Sequence, residues 1–207
     1  MATTRIQIGP ADHGRRMSLE EFLEAEEEPG YRYELARGVL EVTEVPNDAH
    51  GKIVDNLREA LSVYRRAHPR LFLRIGHAGE VRLIIPGLGS DRNPDMAVVF
   101  HDAPVDDRGR RVPALAVEVV SPGASARRRD YEEKREEYLA FGLREYWIVD
   151  PKDRAVTVLS CDETANSTWS ERVVRGDEPI VSSLLPGFAG TVAELWVDVE
   201  PEQGGAA

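Results

Sequence analysis

The chain of 207 residues contains one cysteine, Cys161, which excludes a disulfide framework and a cysteine-rich zinc site. Nothing beside Cys161 marks it as a nucleophile. No stretch approaches the roughly 18 uncharged apolar residues that a membrane span requires. The opening segment MATTRIQIGPADHGRR has no apolar core of the kind a secretory signal needs, so a cytoplasmic protein with no membrane partner is expected. Most catalytic signatures are missing too. There is no Gly-rich phosphate loop ending in Lys-Ser or Lys-Thr, no dinucleotide fingerprint, no paired-histidine zinc helix and no nucleophile elbow. Lysine itself is scarce: of 26 basic residues only Lys52, Lys134 and Lys152 are lysine. A lysine kept against that bias hints at work arginine cannot do, namely presenting a compact ammonium whose pKa shifts and which can hand over a proton.

Positive charge is short overall. The net charge of −11 argues against general affinity for polyphosphate, but the sum hides a division. Residues 1–50 carry 5 basic and 11 acidic side chains and residues 151–207 carry 4 and 10, whereas residues 51–150 carry 17 and 16. The neutral middle holds one concentrated cluster, RRRDYEEKR from Arg127 to Arg135, which is either a local anion-binding surface or a solvated helix face.

Length and the lack of an internal linker favour a single domain over residues 17–197, with the first 16 residues and the segment 198–207 as flexible ends. Ser18 with Glu21 three positions on is a capping-box pattern that opens a helix, SLEEFLEAEEE, closed by Pro29-Gly30. YRYEL and VLEVTEV alternate with period two about Arg37-Gly38, a hairpin pattern. From Asp48 to about Ala67, Ile53, Val54, Leu57, Leu61 and Tyr64 recur at helical spacing. Leu71 to Ile85 reads as strand. DMAVVF, ALAVEVV and EYWIVD are short apolar runs bounded by turn residues, the pattern of buried strands. A helix from about Ser125 to Phe141, ended by Gly142, joins the last two and predicts a parallel pair through a right-handed crossover. Further strands and a short terminal helix follow. The class is α/β with a mixed sheet, since the hairpins supply antiparallel edges.

Two carboxylates stand out. Asp95 follows Pro94 at the mouth of a buried strand, and Glu118 sits inside the most apolar run of the chain. An ionised carboxylate there is expensive unless something compensates it. Residues that face each other across an antiparallel pair share one index sum. Asp95 with Glu118 and Phe100 with Pro113 both total 213. Pairing the two runs end to end sets the carboxylates opposite each other, with Cβ atoms roughly 4.5 to 5.5 Å apart; the connecting loop is long enough to allow a register shifted by two as well. Two facing carboxylates repel, and the arrangement makes sense if a divalent ion bridges them; oxygen ligands left partly open suit Mg²⁺ or Mn²⁺. Lys134 lies between Tyr131 and Tyr138 in what reads as the apolar stripe of the following helix, which also includes Phe141. It either reaches inward to the carboxylates, snorkels outward, or pairs with Asp130. Asp130, Tyr131 and Tyr138 read as helix packing and lysine support, Asp150 as a strand-ending turn residue, and Trp147 as core.

Taken together, NPDMAVVF, LAVEVVSPGAS and RRRDYEEKREEYLAFGLREYWIVDP, with YELARGVLEV and Asp48-Ala49-His50 upstream, resemble the Uma-two (Uma2) family of restriction-endonuclease-like proteins in the PD-(D/E)XK nuclease superfamily. The likeness runs from about Ser18 to about Trp196, and EVVSP followed by EYWIVDP is its most specific part. It implies a restriction-endonuclease-like mixed sheet flanked by helices. It also implies that Asp95 is the acid of the Pro-Asp motif and Glu118 the second acid. The usual Glu-X-Lys reads Glu118-Val119-Val120 here, so the resemblance places the amine at Lys134 on the next helix.

The implied activity is metal-assisted phosphodiester hydrolysis of DNA. Asp95, Glu118 and the Val119 carbonyl would hold Mg²⁺ (or Mn²⁺), with Lys134 orienting the attacking water or stabilising developing charge. Glu34 either adds a carboxylate near the metal or pairs with Arg32 or Arg37 on a strand face. His50 either contacts phosphate or activates water, or is a capping or surface residue. A homodimer is expected by analogy with endonucleases that cut two strands. The alternative is a catalytically silent binding or interaction module, favoured by the net acidity and the lost Glu-X-Lys. A purely structural buried network is the third reading.

Overall fold

The computed structural model describes residues 5–161 and 168–200. The chain divides into two compact units, one formed by the described residues up to Pro46 with Arg82–Asn93, the other by Asn47–Val81 and the described residues from Pro94 on.

In the first unit, β1 (Gln7–Ile8) pairs in parallel with β2 (Glu26–Glu27). Residues 5–16, which composition marks as a loose end, therefore carry a strand, and Ile8 is buried in the unit's core beside Phe22, Tyr33, Leu35 and Leu40. The expectations for residues 1–4 and 201–207 lie outside the described residues. Helix α1 (Leu19–Glu24) opens on the reciprocal Ser18–Glu21 capping box. It is shorter than the sequence predicts, because beyond Phe22 it has no further buried side chain and its acidic run turns into β2. Strands β3 (Tyr31–Ala36) and β4 (Val39–Glu44) form the expected hairpin. Arg37 at φ 50° and Gly38 at φ 76° give the two left-handed residues of a tight turn whose twist matches its strands.

This hairpin belongs to a four-stranded sheet of order β4-β3-β7-β6, with β6 (Leu83–Ile85) and β7 (Ser90–Arg92). The three residues of β7 are Ser, Asp and Arg, yet all are fully buried. Each is matched by a partner. The Ser90 hydroxyl accepts from the Arg37 amide, Arg82 Nε donates to Asp91 Oδ1 at 3.0 Å, and Arg92 reaches Glu34 at 3.1 Å and Glu41 at 2.6 Å.

The second unit opens with α2 (Asp48–Ala67), capped by the Asn47 side chain, which accepts from the His50 amide. The helix buries Ile53, Leu57, Leu61 and Tyr64 at the predicted spacing. The sheet has six strands in the order β12-β11-β10-β9-β8-β5: β5 (Phe72–His77), β8 (Met96–Phe100), β9 (Leu115–Val119), β10 (Glu145–Asp150), β11 (Ala155–Cys161) and β12 (Trp169–Arg175). Among the described strands of this sheet only β9 and β10 run parallel, which is the pair joined by the crossover. The crossover consists of α3 (Ala124–Arg128), a π-helical turn (Arg129–Glu133) and α4 (Lys134–Phe141), ended by Gly142 at φ 87°. The core gathers Leu57, Leu61, Phe72, Val98, Trp147 and Phe188. The predicted terminal helix is a single 3₁₀ turn, Ala193–Trp196. The class is the mixed α/β sheet that the sequence predicts. Among the described residues no helix is long and apolar enough to cross a membrane.

Candidate active site

Strands β8 and β9 pair with Met96 opposite Val117, Ala97 opposite Ala116 and Val98 opposite Leu115. That is the index sum read from the sequence, and one further step places Asp95 across from Glu118. The ladder stops there because β8 begins at Met96, just after Pro94-Asp95. The Asp95 side chain takes over from the backbone: the Val119 amide donates to Asp95 Oδ2 at 2.9 Å. His50 Nε2 stands 3.2 Å from the same oxygen. Since a carboxylate only accepts, that contact requires the hydrogen on Nε2. Asp95 and Glu118 are 5% and 3% exposed, so both charges need internal compensation.

For Glu118 the compensation comes from the crossover helix. Lys134 Nζ lies 2.8 Å from Glu118 Oε1, and the Tyr138 hydroxyl donates to that same oxygen at 2.5 Å. Lys134 also lies 3.9 Å from Asp130 Oδ1, and Arg129 Nε is 3.3 Å from that oxygen. Lys134 thus points inward, with Asp130 as its neighbour, and does not snorkel out to solvent. The helix reaches this arrangement through its π-turn, where the Lys134 amide bonds to the Arg129 carbonyl, five residues back. Such a widened turn resets the helical register. The buried face that results carries Asp130, Lys134, Glu137 and Tyr138, whereas Tyr131 and Phe141 are only half-buried. The stripe is therefore polar, not apolar. Below it, Tyr146 donates to the Asp130 carbonyl and meets Tyr138 edge to face at 4.9 Å. Burial, then the charges of Asp130, Glu118 and Asp95, hold the Tyr146 phenol well above its usual pKa.

The donor chemistry of the acid set decides which divalent ion it suits. Among the described residues no group of three His, Cys, Asp or Glu side chains could hold an ion, which argues against a zinc centre built from side chains. Two carboxylates with a neighbouring backbone carbonyl are hard oxygen donors. That set fits Mg²⁺ or Mn²⁺, which take one or two carboxylates and complete their shell with water and phosphate oxygens.

The other singled-out residues have partners of their own. Glu34 belongs to the first unit, where Oε2 meets Arg92 and Oε1 accepts from the Asn93 amide at 2.7 Å. Arg92, distant in the sequence, is thus a cation it meets. His50 is buried, not a surface residue, and its backbone rather than its ring takes the helix cap. Asp150 does end a strand, accepting from the Lys152 and Asp153 amides, and it also binds Arg127 and the Tyr131 hydroxyl. Burial and the Asp150 charge push the Tyr131 phenol up to about 12. The site residues that sequence reading undervalued are Tyr138, Asp130 and Glu137. Their signal was three- and four-residue spacing of polar groups from Lys134 along one helix face.

Comparison with known proteins agrees with this architecture. The model of the Uma2 family, described as "Putative restriction endonuclease", matches residues 19–193. No curated protein matches the chain. Among solved structures, the crystal structure of a "putative nuclease belonging to DUF820" from Anabaena variabilis ATCC 29413 superposes with a TM-score of 0.68 at 18% identity, covering 87% of this chain and 98% of that one. At that identity the likeness speaks for the fold.

Proposed function

The chain belongs to the Uma2 family of restriction-endonuclease-like proteins, and from that premise we propose that it is a divalent-metal-dependent endonuclease hydrolysing phosphodiester bonds of DNA. The observation that carries the proposal is the register placing Asp95 across from Glu118 with the Lys134 ammonium 2.8 Å from Glu118. Two buried acids and a buried amine meet where a strand pair ends, a costly constellation that a hydrophobic core does not need.

In this reading Asp95, Glu118 and the Val119 carbonyl hold Mg²⁺ or Mn²⁺. Bound there, the ion supplies Lewis-acid stabilisation of charge on the phosphoryl oxygens. The chain's own groups do the rest. The Val119 amide and His50 Nε2 fix the Asp95 carboxylate from one side. Lys134 offsets Glu118, and an ammonium has three N–H groups, so it can keep Glu118 and still donate to a phosphate oxygen or an attacking water. Low exposure of all three side chains strengthens each of these interactions. His50 acts here by orienting Asp95. Glu34 holds the Asn93 amide, immediately before Pro94-Asp95 in the chain. With one such site per chain, cutting both strands calls for two copies, so a homodimer belongs to the proposal.

Supercoiled plasmid incubated with Mg²⁺ or Mn²⁺ tests it. Wild-type protein should nick or linearise the plasmid, a chelator should stop the reaction, and Asp95→Asn and Glu118→Gln should each be inactive while melting as folded proteins. A second reading, a silent nucleic-acid-binding module, draws on the net charge of −11 and the absent Glu-X-Lys. DNA binding without cleavage under any divalent ion would favour it.

A further inference from the structure

The Tyr138 hydroxyl has no part in the chemistry so far described. Its ring is fully buried and packs edge to face on Tyr146, a contact phenylalanine would make equally well. A hydroxyl brought into such a place has to be hydrogen-bonded to be tolerated. Its partner is Glu118 Oε1, the oxygen that Lys134 already binds. As a source of charge neutralisation the phenol is therefore redundant.

It is not redundant for orientation. The terminal torsion of a glutamate is broad and nearly two-fold. A lysine on its flexible four-carbon stem follows a turning carboxylate rather than stopping it. A phenol is rigid beyond its ring, and this ring is clamped by Tyr146. Lys134 and Tyr138 are four residues apart on α4, so both donors approach from one helix face and converge on one oxygen. Two donors on Oε1 set which oxygen faces the helix, and hence which face of the carboxylate is presented elsewhere.

We propose that Tyr138 is a positioning residue: by locking the rotation of the Glu118 carboxylate it sets the affinity of the site for a divalent ion, without touching DNA. This rests on the metal-dependent reading above.

The test is Mn²⁺ binding to the full chain without DNA, followed by the magnetic resonance signal of free Mn²⁺, for wild type, Tyr138→Phe and Tyr64→Phe. Tyr64 is a buried tyrosine whose hydroxyl bonds the Pro186 carbonyl, so Tyr64→Phe loses a comparable bond elsewhere. Tyr138→Phe should bind Mn²⁺ about 10- to 100-fold more weakly, the usual effect of removing a group that orients a ligand. Tyr64→Phe should bind as wild type, and DNA affinity without divalent ions should be unchanged in both. Cleavage by Tyr138→Phe should recover as Mn²⁺ is raised. Replacing Tyr138 by 3-fluorotyrosine, which keeps ring and donor, should preserve wild-type affinity. If Tyr138→Phe melts too low to titrate, trimethylamine N-oxide, which favours the folded state, restores the comparison. Equal Mn²⁺ affinity in wild type and Tyr138→Phe would overturn this inference alone. A wild type that binds no Mn²⁺ would overturn the metal-dependent reading and this inference with it.

Discussion

Lys134 Nζ and Glu118 Oε1 are 2.8 Å apart, and both side chains are almost wholly buried. Such a pair is a poor stabiliser relative to apolar residues, yet removing one member strands the other's charge, at a cost of about 3–5 kcal/mol. Lys134→Met should therefore lower the free energy of unfolding by that order and reduce cleavage at least about 10²-fold. The double variant Glu118→Gln/Lys134→Met should regain much of the stability and none of the activity. Urea unfolding and plasmid cleavage read the two effects separately. Full activity in Lys134→Met would show that the amine serves the fold only.

Asp95 presents the converse case. The Val119 amide donates to its carboxylate, and the amide oxygen of asparagine can accept the same bond, so Asp95→Asn should stay within about 1 kcal/mol of wild type in stability. It should nonetheless lose cleavage, since the variant takes away a charge and not a shape. His50→Ala removes a neighbour of Asp95 without touching the carboxylate, and about a tenfold weakening of Mn²⁺ binding is expected. Calorimetric titration decides. Wild-type Mn²⁺ affinity in Asp95→Asn would remove this carboxylate from the metal site.

Burial raises the pKa of Tyr33, Tyr64, Tyr131 and Tyr146, in the case of Tyr131 to about 12. In the native state these phenols hold their protons at a pH where the unfolded chain, with tyrosine pKa near 10, has lost them. Their contribution to stability is present in full below about pH 10 and disappears as the pH climbs toward the folded values. The urea midpoint should fall steadily from about pH 10 to about pH 12. A midpoint that stays flat over this range would contradict the assignment.

The elements that pair by simple rules were legible in the sequence. α2 follows from the 3.6-residue recurrence of Ile53, Leu57, Leu61 and Tyr64, and the parallel β9–β10 pair from the handedness of a crossover. The β8–β9 register followed from pairing the two apolar runs end to end. Where a partner distant in the chain decides burial, the signal vanished. Ser90-Asp91-Arg92 looks like a loop until Arg82, Glu34 and Glu41 are brought to it. Ile8 lies in a segment that composition marks as loose, and its burial depends on a two-residue pairing with β2. The crossover helix misled for another reason: its π-turn resets the register, so an even 3.6-residue count credits Tyr131 and Phe141 with the inward face that Asp130 and Glu137 share with Lys134.

Glu145, fully buried at the start of β10, is met by neutral donors rather than a cation among the described residues. Five neutral donors converge on it: the Trp147 indole and the Ser182 hydroxyl on Oε2, and the Ser183 amide, the Ser183 hydroxyl and the Leu184 amide on Oε1. Four of the five come from the segment 182–184, so this carboxylate pins that segment to the start of β10, an interior strand, next to Leu185 and Phe188 in the core. Glu145→Gln replaces one acceptor by an NH₂ group that must face donors, leaving at least one of them unsatisfied at a cost of about 1–3 kcal/mol. The loss should be local before it is global. Limited proteolysis under native conditions should cut Glu145→Gln between Arg175 and Leu185 faster than wild type, while divalent-ion affinity at Asp95 and Glu118 is unchanged. Identical digestion patterns in the two proteins would mean that core contacts alone retain the segment and that the carboxylate is dispensable to it.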